Sequence, residues 1–109
     1  MTDRELLELA AKAAGLEFDP TAKTAHGLMI VRDGAVCQSD QVLWNPLSDD
    51  GDALRLAVKF GIQIDPRNPE TRVFGPVGER VGEYHKPDAF AATRRAIVRA
   101  AAEIGKGLE

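Results

Sequence analysis

The sequence predicts an α+β fold: a small, mainly antiparallel sheet with three helices packed on it, in the order α-β-β-α-β-β-β-α. Two observations carry this. Apolar residues recur at helical spacing in three separated stretches, at the N-terminus, after Trp44 and after Asp88. Between them lie short β-rich runs bounded by Gly, Pro and Asp, the punctuation of turns. At 109 residues the chain suits a single domain spanning 1–109, with no repeat, linker or low-complexity tract.

The first helix opens on Thr2-Asp3-Arg4-Glu5, a capping box in which the Thr2 hydroxyl accepts from the Glu5 amide and Glu5 reaches back. Leu6, Leu9, Ala10 and Ala13 form its expected apolar stripe, and Gly15 stands where a left-handed cap belongs, with Leu16 as its hydrophobic contact. A loop over 17–26 leads to two β-rich runs, Leu28–Arg32 and Ala35–Gln38. Asp33-Gly34 between them suits a tight hairpin turn.

The stretch Trp44-Asn45-Pro46 then enters a second helix. Ser48 or Asp49 supplies its cap, Asp50 and Asp52 sit beside the positive end of its dipole, and Gly61 ends it. Ala53, Leu54, Ala57 and Val58 read as its inward face, widened by Leu56 and Phe60. Ile62–Ile64, Arg72–Phe74 and Arg80–Tyr84 read as strands. Asp65–Pro69 and Gly75-Pro76-Val77-Gly78 are the turns between them. The last helix starts at Lys86-Pro87-Asp88, with Phe90, Ile97, Ala101 and Ile104 inward. The expected core is Trp44, Leu54, Val58, Phe60, Ile62, Ile64, Phe90, Ile97 and Ile104.

Composition narrows function. The chain is 44% hydrophobic and 28% charged, as soluble globular domains are, and no apolar run approaches the roughly 20 residues of a membrane helix. The N-terminus lacks the layout of a signal peptide, and the single Cys37 allows no internal disulfide, so the expected location is the bacterial cytoplasm. Leu108-Glu109 matches what an expression tag leaves behind and carries no functional weight. The net charge of −3 hides an asymmetry: residues 1–53 carry 4 Lys/Arg against 10 Asp/Glu, and residues 54–109 carry 10 against 7. Mutual attraction of the two halves explains this more simply than a bipolar surface that steers a partner.

Several chemistries find poor support. Asp49, Asp50 and Asp52 are the weak candidates for a metal. A calcium loop wants Gly at its sixth place and Glu at its twelfth, whereas from Asp49 the glycine comes third and Phe60 twelfth. Helix capping accounts for each of these residues without a cation. No catalytic residue or cofactor emerges: the chain has two histidines, His26 and His85, one cysteine, and no Gly-x-Ser-x-Gly, HExxH or CxxC. The run Gly75–Gly82 is glycine-rich but lacks the Gly-Lys-Ser/Thr ending of a phosphate loop and precedes a strand. Arg94, Arg95 and Arg99 offer a basic helix face for nucleic acid. The bland alternative is a solvated face with Arg99 and Glu103 paired one turn apart.

Three segments together resemble a family: ELLELAAKAAG (5–15), WNPLSDDGDALRLAVKFGI (44–62) and AATRRAIVRAAAEI (91–104). In this order they look like the small phage and prophage proteins with a phage ABA-sandwich domain, in which helices flank a sheet. The resemblance implies a layered α/β architecture and a phage or prophage context, and it carries over no catalytic residue. The expected function is a non-enzymatic accessory protein that binds a protein of phage or host, as a monomer or as a weak homodimer through a sheet edge. The exposed stretches Asp65–Glu70 and Gly75–Gly78 are the expected contacts. The two rivals are a nucleic-acid binder using Arg94, Arg95 and Arg99, and a metal-dependent enzyme built on Asp49, Asp50 and Asp52.

Overall fold

The described residues form three helices and two small antiparallel sheets, in the predicted order. A computed structural model describes residues 2–20, 26–31 and 41–108. Helix α1 spans Asp3–Ala14, α2 spans Asp50–Phe60 and α3 spans Ala89–Lys106. Strands β1 (Leu28–Val31) and β2 (Gln41–Trp44) form one antiparallel pair. Strands β3 (Gln63–Asp65), β4 (Glu70–Phe74) and β5 (Arg80–Tyr84) form a three-stranded sheet in that order. The predicted strand Ala35–Gln38 and its Asp33-Gly34 turn lie outside the described residues. Within them, β1 pairs with Gln41–Trp44, a strand the sequence does not predict, its last residue Trp44 reading instead as the approach to the second helix.

The helix ends follow local chemistry. Thr2 accepts from the Glu5 amide at 3.1 Å, and its hydroxyl donates to the Glu5 carboxylate. Gly15 and Gly61 adopt left-handed φ of 73° and 62°, and the amides of Leu16 and Ile62 each reach back to a carbonyl five residues earlier. Asp88 caps α3 through the amides of Phe90 and Ala91.

Helix α3 is the centre of the molecule. It packs on β4 and β5 on one side, on α1 on another, and on α2 along its flank. Its buried residues, Ala92, Ala96, Ile97, Val98, Ala100, Ala101, Ala102 and Gly105, run almost around the helix, as befits a helix walled on several sides. Small side chains let the neighbours approach closely. Ala10, Ala11 and Ala14 of α1 do the same from the other side.

Here the expected core needs correction. Leu54, Val58 and Phe90 are 59%, 73% and 72% exposed, not inward. The buried face of α2 is Ala53, Leu56 and Ala57, with Phe60 partly buried. Arg94 of α3 grips Asp50 of α2, so Ala53 and Ala57, three and seven residues on, share the face turned to α3. Thr93, not Phe90, meets the sheet in the early part of α3. In α1 the buried residues are Leu6, Leu7, Ala10, Ala11 and Ala14. Leu9 and Ala13 are only half-buried. Trp44, Ile62 and Ile97 are buried as expected, and Ile64 and Ile104 are half-buried.

Candidate functional site

The three-stranded sheet has two faces of different character. Cross-strand partners share a face, so the registers Gln63↔Phe74↔Arg80, Asp65↔Arg72↔Gly82 and Glu70↔Tyr84 define one of them. The other holds Ile64, Thr71, Val73, Val81 and Glu83 and lies against α3, with Thr71 and Val73 fully buried. On the outer face Tyr84 is 73% exposed and Phe74 36% exposed. Gly82 leaves the middle of β5 without a side chain, and the Glu70 carboxylate occupies the space its Cβ would take.

Arginines and carboxylates interleave with these aromatic rings. Arg72 pairs with Glu70 at 2.9 Å, and Arg67 forks onto Asp65 at 2.7 and 2.8 Å. Arg80 has no ion-pair partner among the described residues. The outer face and its β3–β4 turn therefore hold three arginines, Arg67, Arg72 and Arg80, against two carboxylates, Asp65 and Glu70. The hydrogen bond from the Arg67 side chain is the main cause that lowers the Asp65 carboxyl from 3.8 to about 2. Desolvation opposes it as the second-largest effect, and the Arg67 amide and the charges of Arg67 and Arg72 each lower the carboxyl by less. A depressed carboxylate stabilises the folded turn above its unfolded pKa, and that contribution fades as pH falls toward 2. A carboxyl-carbon NMR titration is expected to place the Asp65 midpoint at about 2, and Arg67→Ala to return it toward 3.8. A wild-type midpoint near 3.8 would refute the fork.

The turn Gly75–Gly78 closes at the far end of the same sheet. The Gly75 amide donates to the Glu79 carbonyl at 2.8 Å, and Gly78 takes φ of 94°. The glycines make a hairpin turn between β4 and β5. This chain segment has neither the following helix of a phosphate loop nor the two flanking helices of an RNA-clamp loop.

The arginines of α3 are each taken up at a different seam. Arg94 donates to the Leu47 carbonyl at 2.9 Å and to Asp50 at 2.7 Å, joining α3 to α2. Arg95 pairs with Asp3 at 2.9 Å, joining α3 to α1. Arg99 pairs with Glu83 and also donates to the Gly82 carbonyl, joining α3 to β5. The expected Arg99–Glu103 pair is replaced by this one, and Glu103 pairs with Lys106 instead. Arg94–Asp50 and Arg95–Asp3 join the basic half of the chain to the acidic half, as mutual attraction of the halves predicts. Such pairs contribute only about 0.2–1 kcal/mol each, so they set register more than they hold the fold.

The three aspartates diverge. Asp49 accepts from the Asp52 amide at 2.8 Å and is the N-cap of α2. Asp50 binds Arg94, and Asp52 binds the Asn45 amide and Arg55. Among the described residues no group of three His, Cys, Asp or Glu side chains comes together as a metal-binding set. Asp49→Ala is expected to cost about 1 kcal/mol in urea unfolding, the usual worth of a cap. Ser48→Ala should cost under about 0.5 kcal/mol, because Ser48 reaches only the Asn45 carbonyl at 3.5 Å. Equal losses at the two positions would contradict this assignment of the cap.

One polar cluster lies between the sheet and α3, with Thr71 fully buried and Thr93 and His85 half-buried. Thr93 donates to the Ala89 carbonyl at 2.9 Å, which uses its only proton. Thr71, 2.7 Å away, must therefore donate to Thr93, and His85 Nε2, 2.9 Å from Thr71, must donate to Thr71. A histidine that donates to a hydroxyl is not acting as its base. This trio resembles a nucleophile and its histidine in composition, but the proton order makes it a strut between β4, His85 and α3. Cys37 lies outside the described residues.

Comparison with known proteins returns no family model, no curated relative and no solved structure at a significant level of similarity. The outer sheet face was not found from sequence, although the alternation in ETRVF (70–74) and RVGEY (80–84) carried the signal. Period-two alternation shows that Arg72, Phe74, Arg80 and Tyr84 lie on one side of their strands. Only the strand register shows that they lie on the same side of one sheet.

Proposed function

We propose that this chain is a non-enzymatic binding module, an accessory protein of phage or prophage origin in the bacterial cytoplasm. It engages a protein through the outer face of β3–β4–β5. The observation that carries this reading is the uncovered sheet face, with Tyr84 and Phe74 open and Arg80 unmatched by any carboxylate among the described residues. Tyrosine and arginine are the side chains that most often anchor protein interfaces. The partner that fits presents an apolar spot rimmed by carboxylates. The turns Asp65–Glu70 and Gly75–Gly78 flank the face at its two ends, and the phage setting draws on the resemblance of residues 5–15, 44–62 and 91–104.

The test is affinity capture from bacterial lysate with nuclease present, comparing three forms of the protein. The wild type and the α2 variant Leu54→Ser/Val58→Ser are expected to retain one common protein, and Tyr84→Ser/Arg80→Glu to lose it. Retention by the sheet variant would overturn the reading.

The same face favours a second reading. Exposed aromatic rings interleaved with arginines also stack single-stranded bases, at about 1–3 kcal/mol per base. On this reading nucleic acid meets Phe74, Tyr84, Arg72 and Arg80, rather than Arg94, Arg95 and Arg99, whose guanidinium groups already bind Asp50, Asp3 and Glu83. Capture that disappears with nuclease, and binding that weakens steeply with salt, would select it.

A further inference from the structure

A second site sits on the other sheet. The end of α1, the β1–β2 pair and α2 enclose a groove of about 350 Å³, within the lower range of small-ligand sites. Ile30, Trp44 and Leu56 form its apolar floor, each at most 7% exposed, and Leu43 stands at its rim. Three charged side chains of α2 line its edge, the cations Arg55 and Lys59 and the carboxylate Asp52, which leaves the edge with one net positive charge. Arg55 holds Asp52 at 2.8 Å with its side chain 74% exposed, and Lys59 has no ion-pair partner among the described residues. An apolar slot edged by an uncommitted lysine and an exposed arginine is complementary to a short hydrocarbon chain ending in an anion.

We infer that this groove binds a small amphiphilic carboxylate. The chain lies over Ile30, Trp44 and Leu56, and the carboxylate meets Lys59 and Arg55. The apolar part supplies most of the affinity, since burial of hydrocarbon gains free energy in proportion to the area covered. Lys59 selects the sign of the head group: Asp52 already offsets Arg55, so the charge left without a partner among the described residues is positive and favours an anion over an ammonium. The site shares no residue with the outer face of β3–β4–β5, so the two readings stand or fall separately.

Trp44 is the only tryptophan and lines the floor, so its emission reports occupancy directly. The experiment titrates the protein with octanoate, acetate, octanol and octyltrimethylammonium, following Trp44 fluorescence and calorimetric heat together. Octanoate is expected to give a saturable change in both signals. Acetate, which has the charge without the chain, and octyltrimethylammonium, which has the opposite charge, should bind at least about tenfold more weakly, as should octanol. Arg55→Glu/Lys59→Glu, at two exposed positions that leave the floor intact, should weaken octanoate by about tenfold and leave octanol unchanged. Circular dichroism of this variant, matched to the wild type, separates lost binding from lost fold. The inference is overturned if octanoate gives neither heat nor emission change, if the ammonium binds as well as the carboxylate, or if the folded double variant binds octanoate unchanged.

Discussion

Gly105→Ala is expected to destabilise the protein by about 2–3 kcal/mol, although alanine is the better helix former by about 1 kcal/mol. Gly105 lies in the last turn of α3, where that helix crosses α1. A Cβ built there would come within 2.9 Å of the Leu9 carbonyl carbon and would overlap its oxygen. The obstacle is backbone, so no side-chain rotation relieves it, and α1 would have to shift as a unit. That shift would open a seam lined by alanines, where close approach is the main source of contact. Urea unfolding followed by circular dichroism measures the loss. The sign is the informative part. An exposed glycine in a helix gains stability on change to alanine, so a stabilised Gly105→Ala would show that α1 and α3 do not meet at this distance.

The second large effect is expected at Gly27, just before β1. Its φ of 128° lies where side chains are strained, and an added Cβ would stand 2.7 Å from the Asn45 Cβ and closer still to the Trp44 carbonyl. Strain and overlap together should cost Gly27→Ala about 3 kcal/mol. Gly78 provides the control, because it too has a positive φ, of 94°, yet nothing stands within 4 Å of its added Cβ. Gly78→Ala should therefore lose only the strain, about 1 kcal/mol. The Gly27 effect should also be local in origin. The Asn45 side chain donates to the His26 carbonyl at 2.9 Å, tying the start of β1 to the approach of α2. With this tie pushed apart, Trp44 emission should shift to the red at lower urea than helicity is lost. Coincident transitions, with losses equal at Gly27 and Gly78, would place the effect in backbone strain alone.

Both positions concern distance between backbones, and distance is what one sequence conveys least. Local chemistry was legible. The Thr2 cap, the Gly15 and Gly61 stops, the Asp88 cap and the strand Arg80–Tyr84 each depend on a few consecutive residues whose hydrogen bonds close on themselves. The rotation of α2 was not legible. Ala53, Leu54, Leu56, Ala57, Val58 and Phe60 spread apolar character over too wide an arc for periodicity to choose a face. The choice between Leu56 and Leu54 was made by α3, through Arg94 and Asp50, 44 residues apart. The exposed Leu54 and Val58 each forgo the roughly 1.5–3 kcal/mol that burial of such a side chain provides.

The candidate sites divide in the same way. From sequence, Arg94, Arg95 and Arg99 read as one basic face because they crowd a single helix. In the fold three different elements present carboxylates to them, at Asp50, Asp3 and Glu83. Conversely, Arg72, Phe74, Arg80 and Tyr84 are scattered along the chain and meet only through the register of β4 with β5. Ile30, Trp44, Leu56 and Lys59 meet only because α2 lies beside the β1–β2 pair.

The amino-acid sequence by itself determined the α+β class, the order of the described elements, the starts of the three described helices, the ends of α1 and α2, and the acidic-to-basic division of the chain. Each of these rests on interactions within a turn of helix, a strand or a hairpin turn, or on plain charge counting. The tertiary structure alone decided which helix faces are buried, that α3 rather than the sheet is the centre, and which side chains stay exposed. Those outcomes depend on long-range packing, where small shifts in helix rotation or strand register exchange an inward residue for an outward one.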